Sequence, residues 1–232
     1  MQVPNNFSEA RFSLLNLHQQ LFDAGLVVWS GGNISQRVEG GFLIKPSGLM
    51  YPELTQDSMV YCDLDGNVLD GEFAPSSDTA AHAYVYKNMS EVGGVVHTHS
   101  NYACAFAAVK KPIPCVLTAI ADEFGGEIPV GPFAEIGDDS IGRGVVQTLA
   151  GHRSKAVLMA QHGVFAIGQD AKSALKAAVM CEDAAKSSFL AIQLANTLGM
   201  RFARPKKLPR GVIDRLFNRY QNVYGQGPKP LT

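Results

Sequence analysis

Apolar positions recur along the chain with two periods. Over residues 7–24, Phe7, Leu14, Leu15, Leu17, Leu21 and Phe22 form one helical stripe, and Gly25 follows as a C-terminal cap. His18 falls inside this stretch and reads as an ordinary, partly exposed helical histidine. Residues 59–69 alternate instead. Val60, Cys62 and Leu64 interleave with polar neighbours, Asp65-Gly66 supplies a two-residue turn, and Val68 and Leu69 return, which predicts a hairpin. Phe42-Leu43-Ile44 predicts a strand running into the turn Lys45-Pro46-Ser47-Gly48. Pro75-Ser76-Ser77-Asp78-Thr79 opens a helix to about residue 89, with Ser77 as N-cap and Asp78 at the positive end of the dipole.

The second half continues in the same manner. Val and Gly content predicts a strand over 92–98, followed by an Ala-rich helix over 101–109 and a strand over 113–117. Residues 118–126 read as a glycine-ended loop carrying Asp122 and Glu123. A helix is expected over 139–150, then strands over 155–160 and 164–167, broken at the bend His162-Gly163. The longest helix runs from 171 to about 198 and ends at Gly199. Beyond the basic connector Arg204-Pro205-Lys206-Lys207, a helix over 211–222 bears Leu216, Phe217 and Tyr220. So aromatic an ending predicts packing on the chain's own body or on a neighbouring subunit.

Composition narrows the class. With 232 residues, 46% of them hydrophobic, and a mean hydropathy of +0.02, the chain suits one large domain, and no linker divides it. A net charge of −1 leaves no basic footprint, which argues against nucleic acid or an anionic membrane as partner. Cys62, Cys104, Cys115 and Cys181 are widely spaced and read as free thiols of a reducing compartment. The N-terminus is polar and no apolar run approaches the ~18 residues of a membrane span, so a cytoplasmic location is expected.

Candidate chemistry centres on Val95-Val96-His97-Thr98-His99-Ser100. On a strand, the period of two places His97 and His99 side by side on one face. That spacing alone fits two hydrogen-bonded core histidines as well as it fits metal ligands. The flanks favour the metal, because Asp78 and His162 stand ready to complete a set of N and O donors. His82, one turn after Asp78, suits either a hydrogen bond to that carboxylate or a surface position. Ser30-Gly31-Gly32-Asn33 has the backbone freedom and neutral donors of a phosphate cradle, though the same residues also make plain turns. His152 reads as a solvated loop residue.

In order, Ser30-Gly31-Gly32-Asn33, Lys45-Pro46-Ser47-Gly48, Pro75-Ser76-Ser77-Asp78, Gly94-Val95-Val96-His97-Thr98-His99-Ser100 and Gln161-His162-Gly163 resemble the class II aldolase/adducin family over about residues 8 to 226. The resemblance implies an α/β fold: residues 1–232 as a single three-layer α/β/α domain with a mostly antiparallel central sheet, and 204–232 as a C-terminal helix and tail. It further implies a homotetramer with active sites between subunits, and a divalent metal, usually Zn²⁺ with Mn²⁺ or Co²⁺ as substitutes. By the same resemblance His97, His99, His162 and Asp78 are the metal ligands, and Asn33, Lys45, Ser47, Gly48, Ser76 and Ser77 bind the phosphate of a sugar phosphate. Ser76-Ser77-Asp78-Thr79, Ala121-Asp122 and Tyr224-Gly225-Gln226 are similar to the L-ribulose-5-phosphate 4-epimerase branch, in which Asp122 and Tyr224 inherit acid/base roles beside Asp78. Val130-Gly131-Pro132-Phe133-Ala134 and Gly137 are closer to the ketose-phosphate aldolases, and a non-catalytic adducin-like binding module is the third reading.

Overall fold

The computed structural model describes residues 7–199 and 205–224; Arg204, Gly225, Gln226 and the Pro-rich end lie outside the described residues. In chain order the elements are α1 (Ser8–Asp23), β1 (Asn33–Val38), β2 (Gly41–Ile44), β3 (Val60–Asp63), β4 (Val68–Asp70), α2 (Thr79–Asn88), β5 (Gly94–Thr98), α3 (Asn101–Ala108), α4 (Thr118–Phe124), β6 (Val130–Gly131), α5 (Ser140–Leu149), β7 (Ala156–Met159), β8 (Val164–Gly168), α6 (Ala171–Thr197) and α7 (Arg210–Asn222). The strands form one sheet in the order β4-β3-β2-β1-β5-β8-β7-β6. Every pairing is antiparallel except β6 with β7.

Strand alternation sorts the core into two layers. Ile34, Leu43, Tyr61, Val96, Leu158, Val164 and Ala166 face α1, α3, α4 and α6, with Ile213 of α7 joining them. Their neighbours Phe42, Ile44, Val60, Cys62, Val95, Val157, Phe165 and Ile167 face α2 and α5. With both faces covered, β2, β5, β7 and β8 are buried along their length and read largely as apolar runs, whereas the edge strand β4 is exposed. The result is the expected three-layer α/β/α arrangement.

Four local expectations are corrected. Residues 113–117 are not a strand: Ile113 makes only an isolated bridge with Ile128, and Pro114 has no N–H to continue a ladder. The supposed loop after it is α4, whose buried Ile120, Ala121 and Phe124 pack in the core. At the start of α2 the N-cap is Asp78, not Ser77, because Thr79 binds the Ser76 carbonyl through both its N–H (3.0 Å) and its hydroxyl (2.7 Å). His18 is fully buried. Its Nδ1 contacts the Leu14 carbonyl (2.8 Å) and its Nε2 accepts the Ile34 N–H (3.0 Å), which latches α1 to β1. The aromatic C-terminal helix packs on the chain's own body: the Arg153 guanidinium lies 5.2 Å from the Phe217 ring centroid and pairs with Asp214 at 2.5 Å.

Candidate metal centre and phosphate cleft

The site forms where β5 ends. His97 lies opposite Phe165 of β8 and stacks on its ring at 4.3 Å. His97 Nδ1 donates to the Val164 carbonyl at 2.9 Å, which leaves the Nε2 lone pair facing outward. His99 follows two residues later, as the strand period requires, and its Nε2 lies 2.9 Å from His97 Nε2. The bend between β7 and β8 delivers His162 to the same point, with ring centroids 4.8 Å and 5.2 Å from those of His97 and His99.

The donor atoms of these three histidines all lie within 4.8 Å of one another. Tetrahedral ligands at metal–nitrogen distances of ~2.0–2.1 Å stand roughly 3.3 Å apart, so the cluster has the dimensions of a metal site. Both ring nitrogens of His162 are buried without a hydrogen-bond partner in the protein. Buried polar atoms are seldom left so, and a cation shared with His97 and His99 would satisfy one of them. The three residues therefore fit a divalent metal.

Asp78 lines the same cleft but is not a member of that cluster. Its carboxylate accepts from Asn33 Nδ2 at 2.7 Å, and the same amide group reaches Ser76 Oγ at 3.0 Å. Asn33 pairs with His97 across β1 and β5, so sheet register sets the carboxylate beside the histidines. His82 is fully buried and its ring binds the Ser35 hydroxyl at 2.7 Å rather than Asp78.

Two loops close the rim. The Ser47 N–H donates to the Ala74 carbonyl (2.9 Å) and the Ser76 N–H to the Lys45 carbonyl (3.0 Å), which joins the Lys45-Pro46-Ser47-Gly48 turn to Pro75-Ser76-Ser77. The buried Lys45 ammonium reaches the carbonyls of Ser30 (3.2 Å), Pro46 (3.2 Å) and Leu49 (2.8 Å), tying in the glycine loop. Gly32, at φ +72°, leaves no room for a side chain against the His97 carbonyl. Together these residues line a cleft of about 270 Å³ containing all three histidines, Asn33, Lys45, Ser47, Gly48, Ser76, Ser77 and Asp78.

Burial governs the titration of the site. It pushes His97 down to about 3 and His82 down to about 4, keeping both imidazoles neutral and, for His97, available as a ligand. Burial also lowers His162, reinforced by His99. For Asp78 burial acts upward, but the neighbouring imidazoles, His97 first, and the Asn33 hydrogen bond hold it below the usual carboxylate range. Burial pushes the Lys45 ammonium down to about 8.

Asp122 and Tyr224 are placed elsewhere. Arg219 of α7 reaches both Asp122 carboxylate oxygens at 3.4 Å, and its guanidinium lies 5.7 Å from the Tyr224 ring centroid. Tyr224 borders a larger cavity, about 550 Å³, beside Gly168 and Gln169. Gly168 ends β8 at the opposite end of that strand from His162, and neither Asp122 nor Tyr224 lines the histidine cleft of its own chain. Sequence reading missed Ile136, which adds an apolar wall to the cleft and lies in none of the motifs. Gly163 is part of the Gln161-His162-Gly163 motif, but only the structure shows the histidines packed against it.

Comparison with known proteins agrees with this geometry. L-ribulose-5-phosphate 4-epimerase UlaF of Salmonella paratyphi C is 38% identical over 195 residues, covering 75% of this chain and 85% of the relative. The solved structure of an L-fuculose 1-phosphate aldolase matches with a TM-score of 0.81 at 26% identity, covering 92% of this chain and 97% of that one. An aldolase II superfamily protein from Pseudomonas syringae shares the fold at a TM-score of 0.81 and 21% identity, over 98% of this chain and 89% of the other. Residues 13–189 match the family described as class II aldolase and adducin N-terminal domain, and the chain belongs to that family.

Proposed function

We propose that the protein is a metal-dependent sugar-phosphate epimerase that interconverts L-ribulose 5-phosphate and D-xylulose 5-phosphate by cleaving and re-forming the C3–C4 bond. We read residues 1–232 as one domain of a cytoplasmic homotetramer with active sites at subunit boundaries. The observation that carries the reading is the convergence of His97, His99 and His162 in a cleft rimmed by serine, glycine and lysine. The 38% identity to an epimerase favours this substrate and outcome.

His97, His99 and His162 would hold the ion, zinc first, with manganese or cobalt as substitutes. Such a cation supplies Lewis-acid stabilisation of the negative charge that develops on ketose oxygens. The chain's own residues do the rest. Asn33 orients the Asp78 carboxylate toward the histidines, where it serves as proton acceptor or as an additional ligand. The Ser47, Ser76 and Ser77 hydroxyls and the Gly48 and Ser77 N–H groups offer donors to a phosphate, and Lys45 gives the rim its positive charge. Asp122 and Tyr224 exchange the C4 hydroxyl proton on the two faces of the sugar, and we read them as serving a neighbouring subunit's cleft, a reading supported by their place outside the cleft of their own chain.

A second reading, ketose-phosphate aldolase, is favoured by the 0.81 TM-score with the fuculose-phosphate enzyme. The two differ in whether the cleaved aldehyde departs or turns and is attacked on its other face. Incubation with either pentulose phosphate, followed by optical rotation, is expected to yield the other epimer. Release of glycolaldehyde phosphate without epimer would establish the aldolase instead. An adducin-like binding module has no use for three converging imidazoles, and failure of the purified protein to take up about one divalent ion per chain would favour it.

A further inference from the structure

The first turn of α3 has no cap of its own, since the side chain of Ser100 at the N-cap makes no capping bond. Glu182 of α6 takes that place from eighty residues away. Its two carboxylate oxygens accept the N–H groups of Tyr102 and Ala103, each at 2.9 Å, where the positive end of a helix favours an anion. Tyr102 adds an edge-on contact with Phe189 of α6 at 5.6 Å. His99 lies two residues before this helix.

The same helix also touches the distant ligand. Its Ala107 carbonyl accepts the Gln161 N–H at 3.0 Å, and Cys104 Sγ lies 3.5 Å from the His162 carbonyl. Gln161 sits at φ 57°, a left-handed conformation costly for a side-chain-bearing residue, and the Ala107 bond helps hold it there. Helix α3 is thus a strut between the strand end bearing His99 and the bend bearing His162, and Glu182 fastens it to α6.

We propose that Glu182 is a positioning residue for the metal centre, acting through α3 to set His99 and His162 at ligating distance. The proposal rests on the metal reading given above. Glu182→Ala removes both acceptors, while Glu182→Gln keeps one oxygen and turns an amide NH₂ toward the other N–H. Metal-free wild type and both variants are titrated with Co²⁺ and Zn²⁺ against a chromophoric chelator, with the Co²⁺ absorption spectrum recorded. Thermal unfolding of the metal-free proteins is compared with that of Ile213→Ala, a core truncation on α7. Affinity is expected to fall about 10–100-fold in Glu182→Ala and less in Glu182→Gln, with an altered Co²⁺ spectrum, while Ile213→Ala binds as wild type. If Glu182→Ala does not fold, Glu182→Gln decides. Unchanged affinity and spectrum, or weakening that Ile213→Ala reproduces at equal loss of stability, overturns the role of Glu182 alone. A wild type that takes up neither metal overturns the metal reading itself.

Discussion

A Cβ added at Gly163 would stand 2.4 Å from the Thr98 carbonyl oxygen, 2.8 Å from His99 Cδ2 and 3.2 Å from His97 Cε1. The backbone of β5 and its two imidazoles occupy that space, so Gly163→Ala must displace ligands rather than a pliable surface side chain. Metal affinity and turnover are expected to drop by about 10–100-fold, as when a ligand's supports are disturbed. Metal content and kcat of the purified variant check this. Lys45 gives the pH dependence of the rim. Its ammonium, pushed down to about 8, is charged below that pH and neutral above it. As pH rises through about 8 the cleft therefore loses a positive charge facing the phosphate loops, and kcat/KM, which reports the free enzyme, is expected to fall. In Lys45→Met it should already be low at pH 7 and lack that limb. Both residues stand inside motifs that the sequence displays, but the contacts that make them indispensable come from β5 and from the Ser30 and Leu49 carbonyls.

Helix α1 shows how an element can look ordinary and act as a latch. His18 belongs to its buried face and serves the β1 backbone, and burial pushes its pKa down to about 3. The unfolded chain protonates it near 6.5, so below that pH the unfolded state binds the extra proton. Stability from this group is complete above about 6.5 and is lost as pH falls toward 3, with a slope of up to ~1.4 kcal/mol per pH unit. Denaturant unfolding of metal-free protein between pH 4 and 7 is expected to show this slope, and His18→Gln to lack its share of it. Periodicity identified the helix but not the latch, because a histidine on an apolar stripe has the same pattern whether its partner is water or a strand 16 residues on. Residues 113–124 failed for a related reason. The short α4 has no side-chain cap, and it is held by core packing and by α7, almost a hundred residues later.

At the scale of the whole molecule, the separation of Asp122 and Tyr224 from the histidines within one chain leads to a test of assembly. If neighbouring protomers complete each other's clefts, His97→Ala and Tyr224→Phe chains, each inactive alone, regain activity when co-expressed. In a random mixture roughly one site in four would be intact. Activity no greater than that of either parent would oppose a shared site. Among the described residues no helix is long and apolar enough to cross a membrane, and Cys62, Cys104, Cys115 and Cys181 are free thiols. The sequence by itself determined the strand period that pairs His97 with His99 and the glycine and serine turns of the rim, because each depends on neighbours a few residues apart. Only the tertiary structure decided that His162 meets that pair, that Asn33 rather than His82 holds Asp78, and that Glu182 fastens α3. Those contacts join positions 45 to 80 residues apart, and their partners are set by sheet register and layer packing, which no local pattern encodes.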